Sequence, residues 1–169
     1  QVFKTLNFAG AMIAVNHMVQ DAGGDLWVAT NNAGIFRIST EDNLKYQHYF
    51  RQHNDVREIN SNSVSALYPG DDGRMWVGTN GAGLCYFDGE QGHFVSIDSA
   101  EEILPNQVVY AIEGDSHGFL WLSTDGGLLR MDVNGSTDHR RFTKEDGLQS
   151  NQFNFNASLR ARDGMLFFG

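Results

Sequence analysis

Six histidines, one cysteine and several adjacent carboxylates are the groups in this 169-residue chain that could catalyse a reaction or hold a metal. No two of His17, His48, His53, His93, His117 and His139 share one element at a ligand spacing, and Cys85 has no second thiol. The cysteine–histidine patterns of zinc sites and the even cysteine count of a disulfide framework are therefore missing, and no metal or cofactor is expected. The carboxylate pairs Asp71-Asp72, Glu101-Glu102 and Glu145-Asp146 sit side by side in polar segments. Glycosidic cleavage instead needs two carboxylates opposed across a cleft, about 5–10 Å apart. There is no Gly-x-Ser-x-Gly elbow and no Gly-x-x-x-x-Gly-Lys loop, so neither that hydrolase nor a phosphate cradle is indicated. The phosphoacceptor signature of a histidine kinase is absent as well. The chain reads as one that binds and does not catalyse.

Three tryptophans show what must position any binding residue. Trp27, Trp76 and Trp121 lie 49 and 45 residues apart, and each stands in the same frame. A Gly precedes it by three residues (Gly24, Gly73, Gly118) and a Thr follows it by three (Thr30, Thr79, Thr124). A degraded copy, Asp163-Gly164-Met165-Leu166-Phe167-Phe168, closes the chain with Phe167 at the tryptophan position. A period in this range marks an array of supersecondary units. Within one unit the glycine cluster is a tight turn, and the short apolar run through the Trp is a strand. A further strand precedes it (Val15 to Val19, Val64 to Tyr68, Val109 to Glu113). Another follows the next Gly-bearing turn. An aromatic fourth closes the unit (Tyr46 to Phe50, His93 to Ile97, Arg140 to Thr143). Four strands per unit joined by Gly-rich turns make a β-propeller blade. The fold expected is all-β: a partial β-propeller of about three and a half four-stranded antiparallel blades. It forms one domain over residues 1–169, with repeats at about 11–50, 63–97 and 108–143 and a partial blade at 153–169. Gln1 to Phe8 reads as the tail of a preceding blade or as a linker.

The repeat sorts the residues. Once-per-blade tryptophans serve packing between blades, and the threonines bond within their turns. Positions that break the repeat are freer to bind. The first strand of a blade lines the central channel of a propeller, which singles out Asn16 and His17. Asn31, Asn32, Asn80 and Asp125 follow the Thr, differ between copies and are expected on one rim. Asn154 and Asn156 are placed on one face of an extended segment, opposite Phe153 and Phe155. The long polar connection from Arg51 to Ser61 is a further place for binding residues.

The pattern Asn-x-Val-x-x-Ile, then Asp-x-x-Gly-x-Leu-Trp-Val-Gly-Thr, then Gly-Leu-x-Arg-Phe-Asp resembles the two-component regulator propeller repeat. The stretch Glu145-Asp146-Gly147-Leu148-Gln149-Ser150-Asn151-Gln152-Phe153-Asn154 is similar to the last-blade segment of that family. Ala29 and Ser123 depart from its Gly, Gly70 from its Asp six before the Trp, and Gln107 from its Asn. The resemblance implies the periplasmic sensor region of a hybrid two-component system of Bacteroides type. Its ligand would be an oligosaccharide, its further partners the remaining blades and an immunoglobulin-like domain, and its histidine kinase would lie outside this chain. The alternatives are a propeller enzyme of glycan lyase or oxidoreductase type and a passive protein-interaction scaffold.

Composition narrows the partners. Twelve Lys+Arg against 21 Asp+Glu give a formal charge of −9, which opposes binding to nucleic acid or an anionic membrane. No run of 18 apolar residues could form a spanning helix. Three blades and a part do not close a ring of four to eight. The chain, starting at Gln1 and stopping at Gly169 inside a hairpin, therefore reads as a fragment whose end faces meet further blades or a second copy in a homo-oligomer.

Overall fold

The computed structural model describes residues 13–52, 55, 57–97, 104, 108–133 and 138–169. Expectations for Gln1 to Phe8, His53, Glu101-Glu102 and Gln107 lie outside the described residues. Three antiparallel four-stranded sheets follow one another, each a simple meander. Blade 1 holds β1 (Val15–Gln20), β2 (Leu26–Thr30), β3 (Ile35–Ile38) and β4 (Tyr46–Tyr49). Blade 2 holds β5 (Val64–Pro69), β6 (Met75–Thr79), β7 (Leu84–Asp88) and β8 (His93–Ser96). Blade 3 holds β9 (Val109–Gly114), β10 (Phe119–Thr124), β11 (Gly127–Asp132) and β12 (His139–Phe142). The start of blade 4 is the pair β13 (Ser158–Arg160) and β14 (Leu166–Phe168). A 3-10 turn, Lys144–Asp146, interrupts the connection after blade 3, closed by a capping box between Thr143 and Asp146. The molecule is an all-β partial propeller. First strands touch first strands, β1 on β5, β5 on β9 and β9 on β13, so these four form the inner wall.

The turns follow from two residue types. Gly24, Gly73, Gly118 and Gly164 have φ of 80 to 89°, the left-handed region that costs other residues a steric clash. At the opposite end of each middle strand a threonine folds the hairpin onto itself. Thr30 Oγ1 donates to Gly34 O at 2.8 Å, Thr79 to Gly83 O at 2.9 Å and Thr124 to Gly127 O at 2.8 Å. The hydroxyl then accepts a turn N–H, from Ala33 and Ala82 in the first two cases. These hydroxyls are buried, so the bonds are needed to offset desolvation.

The core lies between blades. Trp27 is 2% exposed and shares a cluster with Leu67, Met75 and Phe87 of blade 2. Its ring meets Phe87 at 5.3 Å and stacks on Tyr49 of its own blade at 5.9 Å. Trp76 does the same one blade on, beside Ile112, Leu120 and Met131 of blade 3. An indole takes about 200 Å² out of water, about 5 kcal/mol at ~25 cal/mol per Å². Trp121 has only a two-stranded neighbour and is half-buried, stacked on Phe142 of its own blade. Leu159 and Phe167, the facing pair of β13 and β14, are 60% and 52% exposed.

In blades 1 and 3 the aspartate six residues earlier accepts the indole N–H. Trp27 Nε1 donates to Asp21 Oδ2 at 2.8 Å and Trp121 Nε1 to Asp115 Oδ2 at 2.9 Å. The other oxygen of each carboxylate accepts turn N–H groups, from Asp25, and from His117 and Phe119. An arginine on the facing strand covers the first pair: Arg37 lies 5.2 Å from the Trp27 ring and reaches Asp21 and Asp25. Blade 2 lacks both partners, with Gly70 for the aspartate and Tyr86 for the arginine.

Two predictions follow from this latch. Asp21→Ala leaves a buried indole N–H without an acceptor and lowers stability by about 1–3 kcal/mol in urea denaturation. For Asp115, burial alone would raise the pKa, but hydrogen bonds from Trp121, Phe119 and His117 outweigh it and hold the carboxyl below its ordinary value. A lowered folded pKa adds stability that is complete above the unfolded value near 3.9 and is lost as pH falls toward the folded one. Acid unfolding profiles should therefore flatten in this range for Asp115→Asn.

Candidate functional site

The inner wall is built by side chains that step from one blade to the next. Asn16 Nδ2 donates to Val64 O at 2.8 Å. Ser65, at the matching place in β5, donates to Val109 O at 2.6 Å. The same donor-to-carbonyl clip thus joins blade 1 to blade 2 and blade 2 to blade 3. One N–H of the Asn16 amide thus serves the fold.

His17 is different. Register places it opposite Ala29, where the sister strands carry Ala66 opposite Gly78 and Ala111 opposite Ser123. Blade 1 alone puts a large polar side chain there. Its Nδ1 accepts the N–H of Leu67 at 3.1 Å, which fixes the proton on Nε2 by elimination. Burial lowers its pKa, so the ring is held neutral. With Nδ1 occupied and Nε2 protonated, His17 can donate a hydrogen bond but cannot act as a general base.

Three more polar groups converge near it. Tyr68 and Glu113 occupy the same place on β5 and β9, opposite Trp76 and Trp121, where β1 carries Val19. Glu113 Oε1 accepts the Ser158 hydroxyl at 2.8 Å across to blade 4. Burial raises the Tyr68 phenol above its usual pKa, assisted by the charge of Asp71 and opposed by that of Arg160. Together with Asn156, the side chains of His17, Tyr68, Glu113 and Ser158 line a cavity of about 200 Å³ on the inner wall. Asn156 closes it: its N–H donates to Tyr110 O at 3.0 Å and its Nδ2 to Asn16 O at 2.8 Å, joining blade 4 to blades 3 and 1. The Asn156 Oδ1 is buried with no partner among the described residues.

The expected extended segment around Asn156 is corrected here. Residues 155 and 156 form a turn, with Asn156 at φ 54°, a left-handed conformation that asparagine tolerates. Asn154 and Asn156 therefore do not share the face of a strand. Asn31, Asn32, Asn80 and Asp125 stand in the turns after β2, β6 and β10, exposed and away from this cavity. The main-chain N–H groups of Asn31 and Asn80 go to Ala14 and Ser63 at the foot of their own inner strands. Of Asn16, His17, Asn31, Asn32, Asn80 and Asp125, His17 lines the inner-wall cavity and the other five do not. Tyr68, Glu113 and Ser158 were passed over, although Tyr68 and Glu113 carry the signal that marked His17, a position that changes between copies.

The connection from residue 51 onward is tied down by Asn62, whose side chain bonds both Arg51 N (2.6 Å) and Arg51 O (3.0 Å). Asn151 repeats half of this clamp on Lys144 N at 2.8 Å. Among the described residues no group of three or more His, Cys, Asp or Glu could hold a metal ion. Cys85 is buried and its thiol is pushed up to about 12, which keeps it protonated and unreactive.

The two-component regulator propeller model matches residues 58–81 and 103–126, so the chain carries repeats of that kind. Histidine kinase P4 of Formosa agariphila is 26% identical over 153 residues, 88% of this chain and 11% of the kinase. The chain thus spans about a ninth of that relative. The extracellular domain of a hybrid two-component system of B. thetaiotaomicron superposes with a TM-score of 0.80 at 21% identity, over 98% of this chain and 22% of that one. Virginiamycin B lyase of Staphylococcus aureus gives 0.69 at 16% identity, over 96% and 51%. At these identities the solved structures share the propeller fold.

The geometry of His17 makes stability depend on pH. Its folded pKa lies below the unfolded value of about 6.5, so its contribution is complete above that pH and is lost as pH falls below it. Thermal unfolding should show a falling midpoint on acidification from about pH 7 to 5, and His17→Gln should remove that part of the slope.

Proposed function

We propose that this chain is part of the extracytoplasmic ligand-sensing propeller of a hybrid two-component sensor. In this reading it sits in the periplasm, detects an oligosaccharide and has no catalytic role. The supporting observation is the inner-wall cavity, where an otherwise repeating scaffold presents non-repeating polar residues: His17, Tyr68 and Glu113. A hydroxyl can accept from the first and donate to the last, so the donor–acceptor mixture suits a neutral polyhydroxyl compound. The propeller repeats and the likeness to the extracellular domain of a hybrid two-component system support the setting. The kinase, an immunoglobulin-like domain and further blades would belong to the longer protein. The exposed Leu159–Phe167 face is where a further blade or a second copy would pack.

Signalling needs no chemistry from these blades. The inner-wall side chains belong to different blades, so a ligand held among them favours one blade arrangement over another. The work available is its differential affinity for the two arrangements.

A calorimetric and thermal-shift screen of the chain against neutral and uronic-acid oligosaccharides tests this. The expected result is saturable binding of a neutral member, with stabilisation of about 2.7 kcal/mol at a hundredfold excess over Kd, abolished by Glu113→Ala. Absence of any binder, or binding untouched by that substitution, would overturn the proposal.

A further inference from the structure

Asn80 stands away from the inner-wall cavity, and its surroundings point to a different chemistry. It is followed by Gly81, and both are exposed in the turn between β6 and β7. Gly81 has a φ of 94°, and a Cβ built on it would meet nothing within 4 Å. The Asn80 side-chain amide and the Gly81 N–H have no hydrogen-bond partner among the described residues. The turn is held by its flanks instead. Thr79 N–H donates to Gly83 O at 3.0 Å, and Ala82 N–H to the Thr79 hydroxyl at 3.2 Å. Asn80 N–H donates to Ser63 O at 2.9 Å, and Asn80 forms an isolated bridge with Val108.

A main-chain nitrogen that follows an asparagine can attack the amide carbon of that side chain. Here the Gly81 nitrogen would bond to Asn80 Cγ as the Cγ–Nδ2 bond breaks. Nδ2 leaves as ammonia, carrying the proton that the Gly81 nitrogen gives up, and a five-membered cyclic imide remains. Water then opens the imide. Attack at the side-chain carbonyl gives aspartate, and attack at the main-chain carbonyl gives isoaspartate. Amide and water become carboxylic acid and ammonia, with no change of oxidation state. Glycine favours the first step because it has no side chain to crowd the approach and its backbone turns freely. The sister turns each lack one half of the pair. Blade 1 has asparagine without the glycine, Asn31-Asn32, and blade 3 has the glycine after an acid, Asp125-Gly126. The chain's other Asn-Gly pair, Asn134-Gly135, lies outside the described residues.

We propose that Asn80 is a site of spontaneous deamidation, which turns it into aspartate and isoaspartate as the folded protein ages. Aspartate fits the turn, since Asp125 holds the matching place in blade 3. Isoaspartate does not. Its main chain runs through the former side chain and is one carbon longer, which shifts the register of Thr79 against Gly83 and of Asn80 against Val108. Ser63 precedes β5 and Val108 precedes β9, so the change loosens the junction of blades 2 and 3. The proposal does not depend on the sensor reading.

The test is peptide mapping of the full chain, kept folded at mildly alkaline pH and sampled over weeks, beside the same chain in concentrated urea. Trypsin puts Asn80, Asn31-Asn32 and Asn134 on separate peptides, 75–130, 5–37 and 131–140, and fragmentation assigns the residue. The expected result is a gain of one dalton at residue 80 in the folded chain, at a rate comparable to that in urea. It should appear as two species, one of them a substrate for isoaspartyl methyltransferase, while Asn31 and Asn32 keep their mass. Calorimetry follows in chains carrying Asn134→Gln. Asn80→Asp should unfold at the temperature of the fresh protein, the aged protein at a lower one, and aged Asn80→Gln should be unchanged. Residue 80 intact in the folded chain once the urea sample has converted overturns the proposal, as does equal conversion of Asn31 or no conversion in either sample. A converted chain that unfolds like the fresh one overturns the loosened junction.

Discussion

Everything in this molecule depends on an indole from one blade being buried in the next. A four-stranded antiparallel meander is too thin to hide its own apolar face. It becomes stable when the neighbour supplies the other half of a core, which is why the buried clusters run across blade boundaries. The indole contributes the largest apolar surface in that gap but also brings a polar N–H, and hence the requirement for an aspartate at a fixed distance. The turn glycine sets where the carboxylate and the indole meet. The threonine hydroxyl closes the other end of the hairpin.

That economy explains what could be read directly. Trp27, Trp76 and Trp121, their glycines and their threonines recur because each blade faces the same physical problem, and their roles were legible from spacing. Strand limits deviated by a residue, as at Pro69, which ends β5. Other features were not legible, for identifiable reasons. Asn16 looked like a free polar residue because its equivalent is a serine; the two share a carbonyl acceptor, and that is visible once neighbouring blades are placed. The turn at residues 155–156 rests on a left-handed asparagine, which no alternation pattern announces. Tyr68 and Glu113 lie on first strands as His17 does and change between copies, so they were legible but passed over. Gly70 was visible as a departure, but its consequence, an orphaned donor, needed the coordinates of Trp76.

Chemical variety collects where the repeat lapses. Residues held by the latch and the turns are committed, since their polar groups are consumed by the fold. His17, Tyr68 and Glu113 on the inner wall, and Gly70 with Trp76 between blades 2 and 3, are the places where blades differ in chemistry while keeping their shape. The net charge of −9 opposes an anionic partner.

The claim on which the rest stands is that the indole is coupled to the following blade and not merely buried beside it. The most direct measurement is a double-mutant cycle on Trp27 and Phe87, whose rings lie 5.3 Å apart across the boundary. Each is changed to alanine alone and together, and stability is read by urea denaturation. The account predicts a coupling of about 0.5–1.5 kcal/mol, the range for an aromatic pair beyond its buried area. Strictly additive losses would mean that the blades are stabilised independently and would contradict it.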